Sequence, residues 1–522
     1  MALANFFDKV NLSASQVLKG HDRSQFEAKL LSHCINLVFS EEMTNSCYQG
    51  KVALDLLVRL FSRFYPNVKF SCPNPSVDTA KNINKLKAIA WSINPEINLN
   101  DDQQETINVV IGIVEDVTAD HPTLYIGARN WTGLLSTETC RPFDQSNNPF
   151  GSAVAVCLAA ANLFRLIFQE ELEHPLLDTD VCFSAFHQQI AYTEEPPLPE
   201  ELELNFTLVG TGAIGNAVLW SLTQLVNLKG NITLIDKESV SLSNLQRYLL
   251  MSQDDVGLEK VQILKELLEI HPALRVHTYP TTWQGAMKDL RQEQITLFAT
   301  ALDTGRDRLL VQTSLPKKII NAWTSPGSLG VSRHLDFRSE VCLACLYLPA
   351  QEEPGDSVKI ALALNVSEHE RTIRQYLANN LPIDDALIQL LHVHGGSEKE
   401  LLETYRGKHV RILYSEGICG GQILSLSSTS GSQDMEVPMA HESALAGILL
   451  AAEVIIESHQ LRKEKLPELT KIDLLRPLHK YLLEAEAKHY SGKCICQDET
   501  FIDCYQSKWF EGQHYQNKKY SI

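Results

Sequence analysis

A short run of glycines, an aspartate, two basic side chains and a second aspartate follow one another in an order that chemistry can use. Gly210, Gly212 and Gly215 stand in GTGAIG, and Asp236 lies 21 residues beyond the last of them, from 215 to 236. Asn244, Arg247, Lys260 and Asp303 come next. Glycines so spaced let the backbone turn tightly and approach a phosphate, and a helix start behind them offers free N–H groups. A carboxylate about 20 residues further on is placed to bond ribose hydroxyls. Arg247, as a planar fork, and Lys260, as a point charge, suit a triphosphate. Asn244 adds a hydrogen bond near the same phosphates. Asp303 suits Mg2+, which keeps carboxylate and phosphate oxygens in its shell. The glycine turn and Asp236 alone would indicate a dinucleotide-dependent dehydrogenase. The residues after them have no use in hydride transfer and point to ATP with Mg2+.

Cysteines form a second constellation. Cys342 and Cys345 make a CxxC in VCLACLYLP, and Cys494 and Cys496 make a second pair in GKCICQDE. Four thiolates in two pairs suit tetrahedral Zn2+, and Cys504 is a possible replacement for one of them.

The elements that must position these groups read as an α/β pattern. Apolar runs at Phe206–Val209 and Ile232–Ile235 are strands on either side of a helical stretch, which is a βαβ unit. A helix at Lys260–Ile270 and strands near Thr296–Ala299 and Lys318–Ala322 continue it. Strands alternating with helices imply a mainly parallel sheet. Earlier in the chain, Val52–Phe64 has helical spacing, Asn108–Ile113 and Thr123–Ile126 read as strands, and Gly151–Ile167 as an alanine-rich helix. Glu194–Glu203, EEPPLPEELE, is acidic and proline-rich and reads as a linker. The stretch from about Gln351 to Val410 is helical by pattern (Glu368–Ala378, Ala386–His392, Glu398–Thr404) and reads as an insertion. Another alanine-rich helix, Ser443–Glu457, resembles Ser152–Phe164, a hint that the two halves are relatives. The first half has no GxGxxG, so a related first half has lost its nucleotide loop. Trp131 and Trp323 read as core or interface aromatics.

Bulk properties exclude several classes. The chain has 522 residues, 44% of them hydrophobic and 21% charged, which suits two or three soluble domains. A net charge of −18 argues against a nucleic-acid partner, because phosphate binding needs a basic face. The start, MALANFFDKVNLSASQ, lacks the basic and apolar regions of a signal peptide, and no uninterrupted apolar stretch reaches the roughly 20 residues that span a bilayer. The expectation is a cytoplasmic protein without a membrane partner, whose cysteines are thiols, metal ligands or a nucleophile.

GTGAIG at 210–215, Asp236, SNLQR at 243–247, Lys260 and ALDTGRDR at 301–308 together resemble the ThiF/MoeB-type adenylyltransferases, which include the ubiquitin-activating enzymes. The resemblance runs from about Leu204 to Leu346 and resumes from about Gly417 to Glu457. It implies a Rossmann-like adenylation domain over 204–350 and 411–522, a helical, cysteine-domain-like insertion over 351–410, and a linker over 196–203. It also implies that 1–195 is a degenerate, inactive adenylation-like domain, giving a monomer with an internal pseudo-dimer, or a homodimer. By the same resemblance Asp236 holds the ribose, Asn244, Arg247 and Lys260 the phosphates, and Asp303 Mg2+. Cys342, Cys345, Cys494 and Cys496 correspond to the family's zinc site, with the second pair altered to CxC. Cys419 in SEGICGGQIL corresponds to the crossover-loop cysteine that accepts an activated acyl group, with a longer gap before the final helix. Arg23 is a candidate for the arginine that the inactive half of an activating enzyme sends into the ATP site.

The implied reaction is attack by the C-terminal carboxylate of a ubiquitin-like protein on the α-phosphate of ATP, then thioester formation on Cys419 and transfer to a conjugating enzyme. The chain most resembles activating enzymes of bacterial ubiquitination-like operons, including those of Bil antiphage systems. Two other readings stay open. One is an adenylyltransferase that serves sulfur-carrier thiocarboxylation in thiamine- or molybdopterin-type cofactor synthesis. The other is a non-catalytic scaffold with a retained nucleotide fold.

Overall fold

The computed structural model describes residues 3–100, 105–115, 120–190, 194–290, 296–348, 356–414, 436–479 and 482–510. The first half runs α1 (Phe7–Ser15), α2 (Arg23–Ser32), β1 (His33–Phe39), α3 (Glu41–Asn45), α4 (Tyr48–Phe64), β2 (Val68–Ser71), α5 (Val77–Ile93), β3 (Glu105–Ile111), β4 (Thr123–Arg129), β5 (Thr132–Ser136), α6 (Phe150–Ile167), β6 (Asp180–Ser184) and β7 (Gln189–Ile190). The second half begins with β8 (Leu202–Val209), α7 (Ala213–Thr223) and β9 (Leu228–Ile235). It continues through α8 (Lys260–Leu267), β10 (Leu274–Tyr279), α9 (Trp283–Leu290), β11 (Leu297–Thr300), α10 (Gly305–Thr313), β12 (Lys318–Ser325), β13 (Ser328–His334) and α11 (Leu343–Tyr347). The insertion carries α12 (Asp356–Ala363), α13 (Glu370–Ala378), α14 (Asp385–Gly395), α15 (Lys399–Glu403) and α16 (Val410–Ile412). After it come α17 (Ala440–His459), β14 (Leu469–Asp473), β15 (Leu483–Glu484) and α18 (Glu499–Trp509).

The two halves share one topology. The first sheet has the order β2-β1-β3-β4-β5-β6-β7 and the second β10-β9-β8-β11-β12-β13-β14-β15. With the edge strand β10 set aside, the orders are the same. In each, the first four strands are parallel and the last three antiparallel. The helices also correspond: α4 and α7 follow the first strand of each sheet, and α6 and α17 precede the sixth. Ser152–Phe164 and Ser443–Glu457 thus occupy equivalent positions in the two strand orders.

In such sheets the crevice for a ligand opens where the strand order reverses, at the carboxyl ends of the strands. In the second sheet that point lies between β8 and β11, and the two flanking loops carry Gly210 and Asp303. In the first sheet it lies between β1 and β3, and Met43 of α3 fills it. A Cβ on Gly112, just past β3, would sit 3.0 Å from the Met43 sulfur, and one on Gly50 would sit 2.8 Å from it. Glu41 and Glu42 add negative charge to the same short helix.

A single apolar core runs through both halves. α6 and α17 are buried along nearly their whole length, and their alanines let backbones approach closely. At Gly447 of α17 a Cβ would lie 2.3 Å from the Ile214 carbonyl oxygen of α7, so only glycine fits. Polar bonds also cross between the halves: Trp220 Nε1 donates to Asp55 at 2.8 Å, and Gln188 Nε2 donates to the buried Glu453 at 2.8 Å. α6 is long and apolar enough to cross a membrane by composition, yet it is a core helix here. Trp131 is likewise a core residue, stacked on Phe150, and the half-buried Trp323 lies over Gly330.

The linker is pinned rather than loose. Glu195 accepts from Trp131 N–H, Thr132 Oγ1 and Ser184 Oγ, and the Pro196 carbonyl accepts from Trp131 Nε1. The described residues of the insertion, 356–414, belong to a compact unit separate from the rest of the chain. Its helices close on a core of their own that includes Ile360, Ile373, Leu387, Leu391 and Leu402.

Candidate nucleotide and metal sites

The glycine turn is forced by contacts that side chains would break. β8 ends at Val209, and Gly210 takes φ +94°, with its missing Cβ directed 2.3 Å from the Ala301 carbonyl oxygen. A Cβ on Gly215 would meet the Gly210 carbonyl oxygen at 2.3 Å. Gly212, the residue before α7, has room by contrast: its nearest neighbour would be Tyr248 Oη at 3.4 Å. The first-turn N–H groups of α7 therefore face a crevice floored by bare backbone, the arrangement that receives phosphate.

Asp236, at the tip of β9, closes over this turn. Its Oδ2 accepts from Thr211 N–H at 2.8 Å and Thr211 Oγ1 at 3.0 Å, and its Oδ1 accepts from Glu238 N–H at 2.9 Å. Asn216, fully buried in α7, donates to the Thr211 carbonyl at 3.1 Å and accepts from Leu250 N–H at 3.1 Å. It thereby ties the turn to the segment after Arg247. Asn244 spends its side-chain oxygen on Ser241 N–H at 2.9 Å, capping the 3-10 turn Leu242–Gln246 that leads into Arg247.

Lys260 is buried at the start of α8, and its Nζ donates to Glu238 Oε2 at 2.6 Å and Tyr248 Oη at 3.0 Å. Burial works to lower its ammonium, but Tyr248, Asp236 and Glu238 outweigh that and hold it above the ordinary lysine range. Burial raises the Glu238 carboxyl and Lys260 more than compensates, leaving it below the usual range. The Arg247 guanidinium lies over the Tyr248 ring, 5.9 Å from its centre. Asp303 is exposed on the loop between β11 and α10, and its charge acts on both Tyr248 and Arg308. The glycine turn, Asp236, Arg247, Lys260 and Asp303 thus meet at one crevice.

Arg23 does not join them. It is exposed and paired with Asp8 at 2.8 Å and Glu27 at 2.8 Å. The cation that the first half does bring is Lys9 of α1, where burial and then the Arg247 charge push the ammonium down. α1 is held there by reciprocal side-chain bonds between Asn5 and Gln253, at 2.9 and 3.1 Å. Sequence reading also passed over Asn216 and Tyr248, although each directly follows a residue it had marked. Cys419, with Gly420 and Gly421, lies outside the described residues.

Cys342, Cys345, Cys494 and Cys496 come together and are buried, with all four sulfurs within 4.8 Å of one another. Sulfur–sulfur distances of 3.4 to 3.9 Å bracket the edge of a tetrahedron with metal–sulfur bonds of about 2.3 Å, which is about 3.8 Å. Four thiolates close the shell and leave no open position, as in a structural site. Cys504 is exposed and outside the cluster. The cysteine-bearing segment also touches the Asp303 loop. Tyr347, two residues past Cys345, lies against Gly305 and under the buried Arg308 guanidinium, 4.8 Å from the ring centre.

A mainly parallel α/β sheet with a glycine turn at its switch point, beside Asp236, Arg247, Lys260 and Asp303, has the form of a nucleotide-binding fold. Residues 188–494 match the ThiF family profile, more than half of the chain, and the chain belongs to the ThiF family. Residues 38–169, from β1 to the end of α6, match the profile described as Prokaryotic E2 family C. The chain is 34% identical over 511 residues to the uncharacterized protein y4jF of Sinorhizobium fredii (strain NBRC 101917 / NGR234), covering 98% of each. It is 27% identical over 182 residues to the sulfur carrier protein adenylyltransferase of Thermus thermophilus, covering 33% of this chain and 65% of that one. Among solved structures, MccB of E. coli with MccA-N7isoASN aligns with a TM-score of 0.35 and 15% identity, covering 56% of this chain and 67% of that one.

Proposed function

We propose that the chain adenylates the C-terminal carboxylate of a ubiquitin-like protein and then takes the acyl group onto Cys419. The observation that carries this reading is the convergence of the glycine turn, Asp236, Arg247, Lys260 and Asp303 at the open crevice between β8 and β11. In it, ATP lies with its ribose at Asp236 and its phosphates along the α7 N-terminus, Arg247, Lys260 and Lys9. Asp303 is the carboxylate suited to Mg2+, which would neutralise charge on the phosphates. The carboxylate oxygen attacks the α-phosphorus, pyrophosphate leaves, and an acyl-adenylate remains. The Cys419 thiolate then attacks the acyl carbon and AMP departs. The chain's part in the first step is positioning and charge neutralisation. A zinc ion in the four-cysteine cluster is structural in this reading.

The shared strand order supports reading 1–195 as a degenerate copy of the adenylation domain, and Met43 at its switch point supports its taking no nucleotide. One chain then binds one ATP, with its own first half in the place of a partner subunit. The Prokaryotic E2 family C match favours the ubiquitin-like branch and a role in a bacterial conjugation operon, of which antiphage defence is one setting. The sulfur-carrier relatives favour thiocarboxylation instead. The test is pyrophosphate exchange into ATP, expected only with a cognate small protein ending in free glycine, together with a thiol-sensitive adduct on denaturing gels. Cys419→Ala should abolish the adduct and spare exchange, and Asp303→Ala should stop both. Exchange without any adduct would favour the sulfur-carrier branch, and no exchange at all would leave the scaffold.

A further inference from the structure

The segment Arg247–Met251 carries Arg247 and Tyr248, the latter a partner of Lys260; its N–H groups are bonded within its own half, to Asn244, Asn216 and Tyr248. Its carbonyls are gathered by α4 of the first half. Arg63 donates through Nη2 to the Tyr248 carbonyl, to that of Leu249 at 3.1 Å and to that of Met251 at 2.8 Å. Arg59 Nη1 adds a bond to the Leu249 carbonyl at 3.0 Å. Just beyond, Gln253 Nε2 donates to the Ile93 carbonyl at the end of α5, at 2.7 Å.

Arg63 is an unusual choice for mere packing. Its side chain is 1% exposed, and no carboxylate pairs with it among the described residues. The nearest acid, Asp55, is occupied by Arg59 at 2.8 Å and Trp220 at 2.8 Å. Burial pushes the guanidinium well below its ordinary value. A buried cation without a counter-charge is costly unless dipoles converge on it, and here converging carbonyl oxygens supply them. A planar fork can bond several carbonyls at once with little loss of freedom, which an ammonium cannot match. Removing it leaves the Met251 carbonyl without a donor and frees the segment to rearrange.

We propose that Arg63 is a positioning residue through which the first half sets the phosphate-binding side of the ATP site. This rests on the ATP reading above. Asp236, the residue assigned to the ribose, takes its bonds from Thr211 and Glu238 and none from the segment that Arg63 holds, so the ribose end should respond far less to Arg63 than the phosphate end.

The experiment is calorimetric binding of ATP with Mg2+, and separately of adenosine, to the full chain and to Arg63→Met and Arg63→Lys. For Arg63→Met the expected result is ATP affinity reduced by about tenfold or more, the scale of a misplacement approaching 1 Å, with adenosine affinity unchanged within about twofold. Arg63→Lys, which keeps the charge and some donors, should recover part of the loss. Should Arg63→Met fail to fold, Arg59→Met removes one bond to the same segment from a more exposed position and should weaken ATP selectively by a smaller factor. Equal loss of ATP and adenosine, or ATP affinity within twofold of wild type in a folded variant, overturns the proposal. A wild-type chain that binds no ATP overturns the nucleotide reading itself, and this inference with it.

Discussion

Gly215→Ala offers the sharpest test of where the nucleotide sits. The added methyl would lie 2.3 Å from the Gly210 carbonyl oxygen, where 3.4 Å is ordinary contact, so the start of α7 must retreat by about 1 Å. It has nowhere to go. On the far side α17 packs so closely that a Cβ on Gly447 would meet the Ile214 carbonyl at 2.3 Å and Ala217 Cβ at 2.5 Å. Overpacking of this kind costs about 1–3 kcal/mol. The same retreat carries the α7 N–H groups away from the phosphates, and a misplacement of about 1 Å is worth about 100-fold, or about 2.7 kcal/mol. Gly212→Ala is the matched control, because its methyl meets only Tyr248 Oη at 3.4 Å. It should leave the melting temperature alone and weaken ATP by blocking close approach of the phosphates. Calorimetric binding of ATP with Mg2+, run beside thermal melts, separates the outcomes. A folded Gly215→Ala protein that binds ATP within about threefold of wild type would refute the placement, since the phosphates could not then rest on this turn.

Three further outcomes are expected. Cys342→Ser should remove bound zinc, measured by elemental analysis of the purified chain, and lower the melting temperature; zinc-free wild-type protein of full stability would sink the four-thiolate site. Lys9→Ala should leave the free protein as stable or slightly more so, because it removes a cation pressed toward Arg247, yet reduce the rise in melting temperature that saturating ATP confers. An unchanged ATP-induced rise would remove Lys9 from the site. Burial pushes the Glu442 carboxyl up to about 8, although its Oε2 accepts from Met439 N–H at 2.9 Å. Since the folded value lies above the unfolded one of about 4.3, this group's favourable contribution is full below that value. It is lost progressively as pH rises towards 8. Glu442→Gln should therefore match wild type near pH 5 and melt higher than it above pH 8; parallel melting curves across that range would contradict the assignment.

The residues that bind through local backbone geometry were legible in the sequence, and those that act across the fold were not. A strand, a glycine turn, a helix and a second strand are contiguous, so GTGAIG and Asp236 announce their own geometry. The four cysteines were legible despite 152 residues between Cys342 and Cys494, because paired thiolates have a narrow range of uses. Arg63 gave no such sign. In VALDLLVRLFSRF it has the spacing of a surface charge on an amphipathic helix, and its partners lie 185 to 188 residues away. Lys9 and Met43 are ordinary residues until the sheets place them, one beside Arg247 and the other across the first crevice. Arg23 was a candidate only by resemblance to the arginine that an inactive half sends into the ATP site; Asp8 and Glu27 hold it elsewhere.

The duplicated topology explains why the first half persists without a nucleotide loop. Had it served only as a scaffold, its contacts with the second half would be the apolar packing of α4 and α6 on α7 and α17. Its polar groups also reach the second half at several places, and one group of them meets the segment between Arg247 and Gln253: Arg59 and Arg63 hold the carbonyls, Asn5 and the Ile93 carbonyl hold Gln253, and Lys9 adds charge beside Arg247. Such bonds cost desolvation on both sides and stabilise the fold only modestly. Those at Arg247–Gln253 suit the geometric role proposed for Arg63, because Arg247 directly follows a short 3-10 turn with little rigidity of its own. In the proposed reading, Met43 at one switch point and the bonds from Arg59 and Arg63 at the other make a single asymmetric site from two sheets of like strand order.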